Sequence, residues 1–449
     1  MQENKMGTKP VLPLLIGMAL PAMFSMIVLS LYNIVDSVYV SKLGQEGLNA
    51  VSICFPIQML LTAVGVGTSV GINSLMARRL GEKRHEEASS VALHGLILAI
   101  IAWVVFAIFG IVGVRPFVNV YTTDVLVRQY ASQYLSIVMI FSLGALIQMT
   151  IEKELQATGA MTSAMVVQLV GAITNIILDP IMIFGYFGLP AMGVAGAAVA
   201  TVIGQFLGAL VGLIILFTRV KTIHISFKGF KWNQRIVAAI YEVGFPSIIM
   251  QSIGSFTTML LNLILAGFSD AAVTVLGVYY KLQSFVFMPV FGMNQGLMPI
   301  MGFNFGAKNK HRIYEAVRYG MIIAFVIMLV GCIAFNAIPD VLLAIFNAEA
   351  DLLSLGRSAL SIISLSFPMA SISIIASTVF QAIGKGKYSL YISLLRQIVL
   401  ILPIAFVLSR INGVTGVWMA FPAAEIIAFV ISIIMYIRIK KTVIDKIDE

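Results

Sequence analysis

Twelve apolar segments, each long enough to cross a lipid bilayer as a helix, decide what this chain can fold into. About 20 apolar residues span the hydrocarbon core, and lipid leaves the backbone no partner outside its own helix. The stretches between the segments are too short to form a domain. The sequence therefore predicts an all-α polytopic membrane protein with twelve transmembrane helices. They lie near residues 13–40, 50–77, 91–114, 129–151, 161–185, 193–218, 237–267, 272–303, 317–339, 356–381, 388–409 and 414–437.

The composition agrees with a chain of little water-soluble mass. Hydrophobic residues make up 59% and charged residues 11% of the sequence, whereas soluble domains carry about 25% charged residues. Cys54 and Cys332 both lie in apolar segments, and the four histidines show no ligand spacing. We therefore expect no disulfide, no redox pair, no metal site and no cofactor. We expect the lipid bilayer as a partner, no nucleic acid, and a monomer.

The basic residues fall unequally on the two ends of the segments. Most of the 29 Lys and Arg residues lie on one set of loops, together with both chain ends. Positive charge accumulates on the cytoplasmic side of membrane proteins, so this bias accounts for the formal net charge of +9 without a nucleic acid. The sequence predicts a multi-pass plasma-membrane protein with both termini in the cytoplasm.

The two halves of the chain repeat at an offset of 225 residues. Pro21 pairs with Pro246, and Gly67 and Gly71 pair with Gly292 and Gly296. Six spans per half keep the same orientation, which is the parallel repeat of one class of transporters. We therefore predict two six-helix bundles, residues 1–218 and 237–449. A linker, residues 219–236, would lie between them at the cytoplasmic interface because its apolar and basic residues alternate.

Small residues at helical spacing indicate where two of these helices pack closely. Gly65-x-Gly67-x-x-x-Gly71 lies within the second apolar segment and no strand precedes it, so a nucleotide-binding loop is excluded. In membranes such spacing lets two helix backbones approach each other.

The first segment carries an acid, Asp36, and a proline, Pro21. A carboxylate at the bilayer centre costs roughly 2.5–3.5 kcal/mol, and such residues usually have a function. Pro21 frees the carbonyl of Gly17 and favours a bend there. We expect that bend to change the direction in which Asp36 points.

A second acid, Asp179, lies late in the fifth segment, at a depth similar to that of Asp36 because both segments run outward. Tyr32 precedes Asp36 by one turn and Asn175 precedes Asp179 by one turn, so each pair shares a helix face. Pro180 frees a backbone carbonyl next to the acid. These hard oxygen ligands suit a proton or Na⁺. The alternative is that both acids cap helix ends at the outer surface.

Three further charges lie within spans of the second half and away from the span ends: Lys281, Arg396 and Glu425. Arg396 is close enough to the cytoplasm for its long side chain to reach the interface. Lys281 and Glu425 lie deeper, and we interpret them as a structural ion pair or as a pair whose side chains reach toward the interface. The alternative is a second polar patch in a transport cavity.

Three motifs in the first half resemble those of the multidrug and toxic compound extrusion (MATE) family, closest to its DinF-type bacterial branch. The motifs are Gly17-x-x-Leu20-Pro21, Tyr32-x-x-x-Asp36 and Asn175-x-x-x-Asp179-Pro180. The resemblance covers the whole chain. It implies a cation site at Asp36, Asn175 and Asp179 and a first helix that bends at Pro21. Thr201 resembles a residue of the sixth helix that carries a hydroxyl in this family. It departs from the NorM-type branch, which has an acid where this chain has Gly254.

The resemblance also implies a function. The chain would be an antiporter, not an enzyme, that exports amphipathic, often cationic compounds by alternating access in exchange for H⁺ or Na⁺. A lipid-linked saccharide flippase of the same superfamily is the alternative, but its cavity would favour arginines and only Arg396 is available. Leu80-Gly81-Glu82-Lys83-Arg84 matches the loop motif of the major facilitator superfamily poorly. An intramembrane enzyme would need a nucleophile and base at depth, and none is visible in the sequence.

The predicted orientation can be tested by cysteine labelling in a background that lacks Cys54 and Cys332. A cysteine at Lys83 should react only with reagents that enter the cytoplasm, because the basic loops lie inside. A cysteine at Gln45 should react with impermeant reagents added outside. Labelling of Lys83→Cys from outside would reverse the topology.

Overall fold

A computed structural model describes residues 4–226, 230–345 and 350–447, without the side chains of residues 33, 34, 36, 37, 41, 350 and 351. Every regular element in these ranges is helical. The first half contains α1 (Lys5–Thr8), α2 (Val11–Ser41), α3 (Gln45–Gly81), α4 (His85–Ile108), α5 (Val114–Tyr121), α6 (Val125–Ile140), α7 (Leu143–Ala157), α8 (Met161–Phe184) and α9 (Val194–Arg219). The second half contains α10 (Gln234–Ala266), α11 (Asp270–Gly306), α12 (Lys310–Ala337), α13 (Pro339–Ala344), α14 (Ala350–Ser364), α15 (Phe367–Ala382), α16 (Gly386–Leu394) and α17 (Leu402–Ile439).

The helices match the predicted membrane spans closely. Within the described residues, nine helices are long and apolar enough to cross a bilayer, and two bent pairs qualify as one span each. The pairs are α6 with α7, bent by 47°, and α14 with α15, bent by 48°. A short π-helical turn joins α4 to α5 into one continuous span. These elements account for eleven of the twelve predicted spans and place most ends within a few residues.

The twelfth span comes from a break inside the last long helix. Gly386–Ile444 runs for 59 residues, about 88 Å at 1.5 Å per residue, which is far longer than a bilayer is thick. Asn412 and Gly413 leave the helical conformation, and Gly413 has φ 58°, a region that glycine adopts without strain. The break falls between the two predicted spans, 388–409 and 414–437, so this region supplies two spans and the total is twelve.

The chain folds into two compact units. The N unit comprises Phe24–Ile248, and the C unit comprises the described residues of Met1–Met23 and Ile249–Glu449. The chain thus passes between units within α2, just after Pro21, and within α10, just after Pro246. The two units are defined by contacts within the structure, and their boundaries differ from those of the predicted bundles, 1–218 and 237–449. Those bundle boundaries stay a prediction.

In the N unit, glycines of α3 bring the backbone of α3 against the first half of α10. A Cβ on Gly67 would lie 2.6 Å from the backbone nitrogen of Ile248, and one on Gly71 would lie 3.0 Å from that of Gly244 and against the carbonyl oxygen of Ile240. The close helix packing predicted from the glycine spacing is therefore confirmed at these two positions.

The C unit repeats this contact with the repeat-related residues. A Cβ on Gly292 would lie 2.6 Å from the backbone nitrogen of Met23, and one on Gly296 would lie 2.9 Å from that of Ala19. Here α11 replaces α3, and the first half of α2 replaces the first half of α10. The 225-residue repeat thus extends to backbone packing.

The linker between the two halves is fixed to α4 of the same unit. His94 of α4 is fully buried, and its Nε2 accepts a hydrogen bond of 2.9 Å from the backbone N–H of Asn233. Its ring contacts Phe230 and Trp232, with centroid separations of 4.9 and 5.3 Å. The backbone N–H of His224 donates to Ser89 Oγ at 2.9 Å. These contacts give the linker a defined place at the start of α4.

The glycine contacts predict different effects of one and the same substitution. Gly71→Ala places a methyl group against backbone atoms of α10 that cannot rotate away, so the free energy of unfolding should fall by about 1–3 kcal/mol. Gly277→Ala is the matched control, because Gly277 lies in a helix with no heavy atom within 4 Å of its Cβ position. It should leave stability unchanged or raise it by up to about 1 kcal/mol. Thermal unfolding of the purified variants measures both, and equal effects would contradict the close contact.

Candidate functional site

The candidate site lies in the N unit, where α8 and α9 approach closely. Gly204 of α9 permits this approach, since a Cβ there would lie 2.6 Å from the carbonyl oxygen of Gly171 and 3.3 Å from the Cβ of Asn175. Asn175 and Asp179 are one turn apart on α8 and therefore share the face that meets α9. The small residues of α9 thus bury two polar side chains between helices.

Three predicted site residues meet in this contact. The Asn175 side-chain amide donates to Asp179 Oδ1 at 3.3 Å and to Thr201 Oγ1 at 3.0 Å. Asp179 is fully buried, and Asn175 is 2% exposed. Asn175 Oδ1 is buried and has no hydrogen-bond partner in the described part of the chain. The cluster therefore presents an acceptor oxygen that no described donor uses, beside a buried carboxyl.

The helix that carries the other two predicted site residues is α2. Its backbone is helical from Val11 to Ser41, and Tyr32 is half-buried on it. The side chain of Asp36 lies outside the described residues. The inclusion of Asp36 and Tyr32 in the site therefore stays a prediction. So does the bend at Pro21, through which α2 continues as a helix.

The chemistry of the cluster suits a small hard cation. Asp179 supplies a carboxyl, Asn175 an amide oxygen and Thr201 a hydroxyl, and Pro180 has no N–H to offer the preceding turn of α8. Oxygen ligands of this kind bind alkali and alkaline-earth cations, and a buried carboxyl readily exchanges a proton for such an ion. Among the described residues, no group of three or more His, Cys, Asp or Glu side chains could hold a metal ion.

The charges of the second half are arranged as an ion pair. Arg396 Nη1 lies 3.7 Å from Glu425 Oε2, and the Glu425 side chain is buried. This geometry agrees with the interpretation of Glu425 as one member of a structural pair. Lys281, the other candidate partner, is exposed on α11.

The sequence interpretation missed one buried acid in the N unit. Glu154 is fully buried, although the predicted fourth span ended at residue 151. The helix α7 continues to Ala157, which brings Glu154 into the helix. The run Glu152-Lys153-Glu154 had the composition of a solvated end. The signal that could have identified Glu154 is its position one turn after Thr150, on the apolar face of the helix.

The hydrogen bond between α8 and α9 generates a prediction. Thr201→Val keeps the volume of the side chain but removes the acceptor of the Asn175 amide, so the free energy of unfolding should fall by about 1 kcal/mol. Thr218→Val is the matched control on the same helix, because the Thr218 hydroxyl donates only to the carbonyl of Ile214 in its own helix. Thermal unfolding should separate the two variants. Equal stability would show that the bond to Asn175 contributes nothing.

A family model matches the chain twice. The model, described as MatE, covers residues 21–181 and again residues 246–407. The two matches begin at Pro21 and Pro246, the pair that opens the repeat. They confirm the internal duplication and cover well over half of the chain.

Curated relatives and solved structures agree with this match. The Multidrug export protein MepA of Staphylococcus aureus (strain MSSA476) is 26% identical over 447 residues, covering 97% of this chain and 96% of the relative. A MepA of Staphylococcus saprophyticus is 24% identical over 430 residues, covering 95% and 94%.

Two solved structures share the fold over nearly their whole length. An outward-facing multidrug resistance MATE family transporter of the MOP superfamily superposes with a TM-score of 0.92 at 26% identity, covering 98% of this chain and 99% of that one. A MOP superfamily transporter from Pyrococcus furiosus gives 0.90 at 25% identity, covering 100% and 99%. The predicted fold, twelve transmembrane helices in two six-helix bundles, is thereby confirmed. The chain belongs to the MatE family, the multidrug and toxic compound extrusion transporters, and is a membrane transporter rather than an enzyme.

Proposed function

We propose that this transporter exports amphipathic, often cationic compounds in exchange for H⁺ or Na⁺ by alternating access. The observation that carries the proposal is the fully buried Asp179 with Asn175 and Thr201 beside it. The full-length similarity to relatives named multidrug export protein supports the substrate class. The exporting direction is likewise proposed from the names of those relatives.

The buried carboxyl supplies the coupling. An ionised carboxyl in a low-dielectric site is costly unless a cation neutralises it, so the site binds either a cationic ligand nearby or its own proton or Na⁺. A drug held while Asp179 is ionised loses that attraction once a cation binds to the carboxyl. In this scheme Asp36 shares the site from α2, and two neighbouring carboxyls resist ionising together. Cation entry therefore favours release of the substrate.

The assigned roles follow from the chemistry of each side chain. Asp36 and Asp179 hold the cation, while Asn175 positions the Asp179 carboxyl through its amide and offers its own oxygen as a ligand. Thr201 fixes the Asn175 amide, and Tyr32 adds a hydroxyl one turn before Asp36. Pro21 lies where α2 leaves the C unit, so a helix that bends there would move Asp36 while the first half of α2 stays packed.

The flippase alternative gains no support from the charged residues. Recognition of a lipid pyrophosphate favours arginine forks. Arg396, the arginine that lies away from the ends of a predicted span, is already 3.7 Å from the Glu425 carboxylate. A second function of that kind is therefore not proposed.

The proposal predicts the outcome of neutralising both acids. Asp36→Asn and Asp179→Asn keep the shape of the side chains but remove their charge, as a bound proton would. In proteoliposomes the double variant should insert normally and lose ethidium efflux driven by a pH or Na⁺ gradient by more than about 100-fold, since neither carboxyl of the proposed cation site remains. Asp36→Asn alone should bind drug weakly and fail to build a gradient. Asp179→Asn alone should do the same or keep part of the activity, because one remaining carboxyl can still titrate.

The control is Asp340→Asn, which neutralises an exposed acid that pairs with Arg357. It should transport at the wild-type rate. Separate pH and Na⁺ gradients identify the coupling ion. Efflux at the wild-type rate in the double variant would overturn the mechanism, whichever ion drives it.

A further inference from the structure

The N unit contains a second buried carboxyl, at the opposite end of its helices from Asp179. Glu154 lies near the end of α7, on the side of the basic residues Arg78 and Arg79. Asp179 lies near the far end of α8, the next helix, eighteen residues after its start at Met161. At 1.5 Å per residue, Asp179 lies about 27 Å along α8 from the start of that helix, whereas Glu154 precedes this start by seven residues. Glu154 is therefore not part of the site described above.

The Glu154 carboxyl is buried without compensation. The residue is 0% exposed, and neither Oε1 nor Oε2 has a hydrogen-bond partner within the described residues. A Cβ on Gly95 of α4 would come within 3.1 Å of Glu154 Oε1, so the carboxyl lies in the space that this glycine leaves free. An ionised carboxylate in that position would cost several kcal/mol, whereas the neutral acid needs no counter-ion.

Polar side chains of α3 face the same turn of α7. Ser69 Oγ lies 3.5 Å from Thr150 Oγ1, and the Asn73 side-chain amide donates to the carbonyl of Lys153 at 3.0 Å. Thr150 and Glu154 are one turn apart and share a face of α7, as Ser69 and Asn73 do on α3. The Asn73 Oδ1 atom is buried and, like the Glu154 carboxyl, has no partner among the described residues.

Other charged groups on the surrounding helices are directed elsewhere. On α7, Glu152 accepts from Gln148 at 2.9 Å and Lys153 donates to Gln156 at 2.9 Å. On α3, Arg78 Nε donates to the carbonyl of Ser74 at 3.2 Å. On α4, both nitrogens of His94 bond to backbone groups. No described ion pair includes Glu154.

The second half of the chain shows whether the fold requires these polar groups, because it has the same helices with other residues at the corresponding positions. At the same offset of 225 residues, the other half has Met298 for Asn73, Ile375 for Thr150 and Val379 for Glu154. All three replacements are buried. Ser69 corresponds to Asn294, so the other half keeps a polar residue at one of these four positions and apolar residues at the other three. Gly320, which corresponds to Gly95, has the side chain of Leu297 where Gly95 has Ile72 and the Glu154 carboxyl. Packing alone therefore does not require an acid at this position.

We propose that Glu154 is a second proton-holding site of the N unit, which exchanges a proton with the cytoplasm during the transport cycle. This role rests on the proposed antiport function. The ligand is a proton because one carboxyl oxygen suffices to hold it, while Na⁺ needs several oxygens at once. The Glu154 carboxyl is neutral in the folded protein, and Asn73 Oδ1 is the adjacent acceptor on α3. In this scheme the proton leaves Glu154 only when the cytoplasmic ends of α3 and α7 admit water.

The first test reads the protonation state and does not depend on transport. In the reconstituted full-length protein at neutral pH, the infrared carbonyl band of a protonated carboxyl should be present in the wild type and in the Asp36→Asn, Asp179→Asn double variant. Glu154→Gln, added to that double variant, should remove it. Glu82→Gln, the control that removes an exposed acid paired with Arg79 at 2.6 Å, should leave it unchanged. A band unaffected by Glu154→Gln would overturn the proposal, as would a Na⁺-dependent rise in melting temperature that only Glu154→Gln abolishes.

The second test separates a role in transport from a role in packing. Glu154→Val introduces the residue of the other repeat and should keep or raise the melting temperature, because no carboxyl needs to be buried. It should nevertheless lower proton-driven ethidium efflux by about tenfold or more, and Glu154→Gln should do the same. Wild-type efflux in both variants would overturn the role of Glu154 and leave the Asp179 mechanism intact. If the wild type shows no cation-driven efflux, the antiport function fails, while the infrared test still decides the state of Glu154.

Discussion

The contact between glycines and a bare helix backbone is the constraint on which the rest of this structure depends. Gly67 and Gly71 of α3 hold the first half of α10, and Gly292 and Gly296 of α11 hold the first half of α2. In lipid, helices gain little from hydrophobic burial against each other, so close van der Waals packing at small residues determines which helices associate. These contacts place one half of α2 and one half of α10 in a different compact unit from the remainder of the same helix. The prolines at 21 and 246 lie where those halves end.

The cost of burying polar groups in a low-dielectric medium explains why so few of them are present and why each is informative. Asp179 shares the amide of Asn175 with Thr201, and Glu425 lies beside Arg396. Glu154 has no such neighbour among the described residues. A membrane protein can tolerate an acid by pairing it, by placing it in a polar cluster or by keeping it neutral. All three solutions occur in this chain, and each implies a different chemistry for the residue.

Most of the fold could be predicted from the sequence because hydrophobic length and positive charge act locally. Each of the twelve spans can be recognised from its own segment, and the duplication can be recognised from residues at a fixed offset. The pairing of Pro21 with Pro246 also marks where the family matches begin. The meeting of Asn175, Asp179 and Thr201 was expected from a family resemblance, and the structure brings these three together. The position of Asp36 relative to them lies outside the described residues.

Two features were out of reach of the sequence for physical reasons. Glu154 follows Glu152 and Lys153, and a run of charges at the end of an apolar segment has the composition of a solvated helix end. Its burial depends on Gly95 of another helix, which no local pattern contains. The passage of α2 and α10 from one unit to the other is likewise a property of tertiary contacts. The predicted bundles begin and end at the linker, whereas packing divides the chain inside two helices.

The first halves of α2 and α10 each pack on glycines of the other repeat. This arrangement limits how the chain can be cut into fragments and how a single repeat could fold alone. A fragment that ends in the linker would contain Gly67 and Gly71 but lack the first half of α10 that covers them. A single copy of the repeat would likewise have no segment for its own glycines, unless its first helix folded back on the same copy. Two copies supply the segment to each other, which is the arrangement of a homodimer that has exchanged an identical element. In this chain the two copies are covalently joined, and the linker that joins them is itself fixed to α4 through His94 and Asn233.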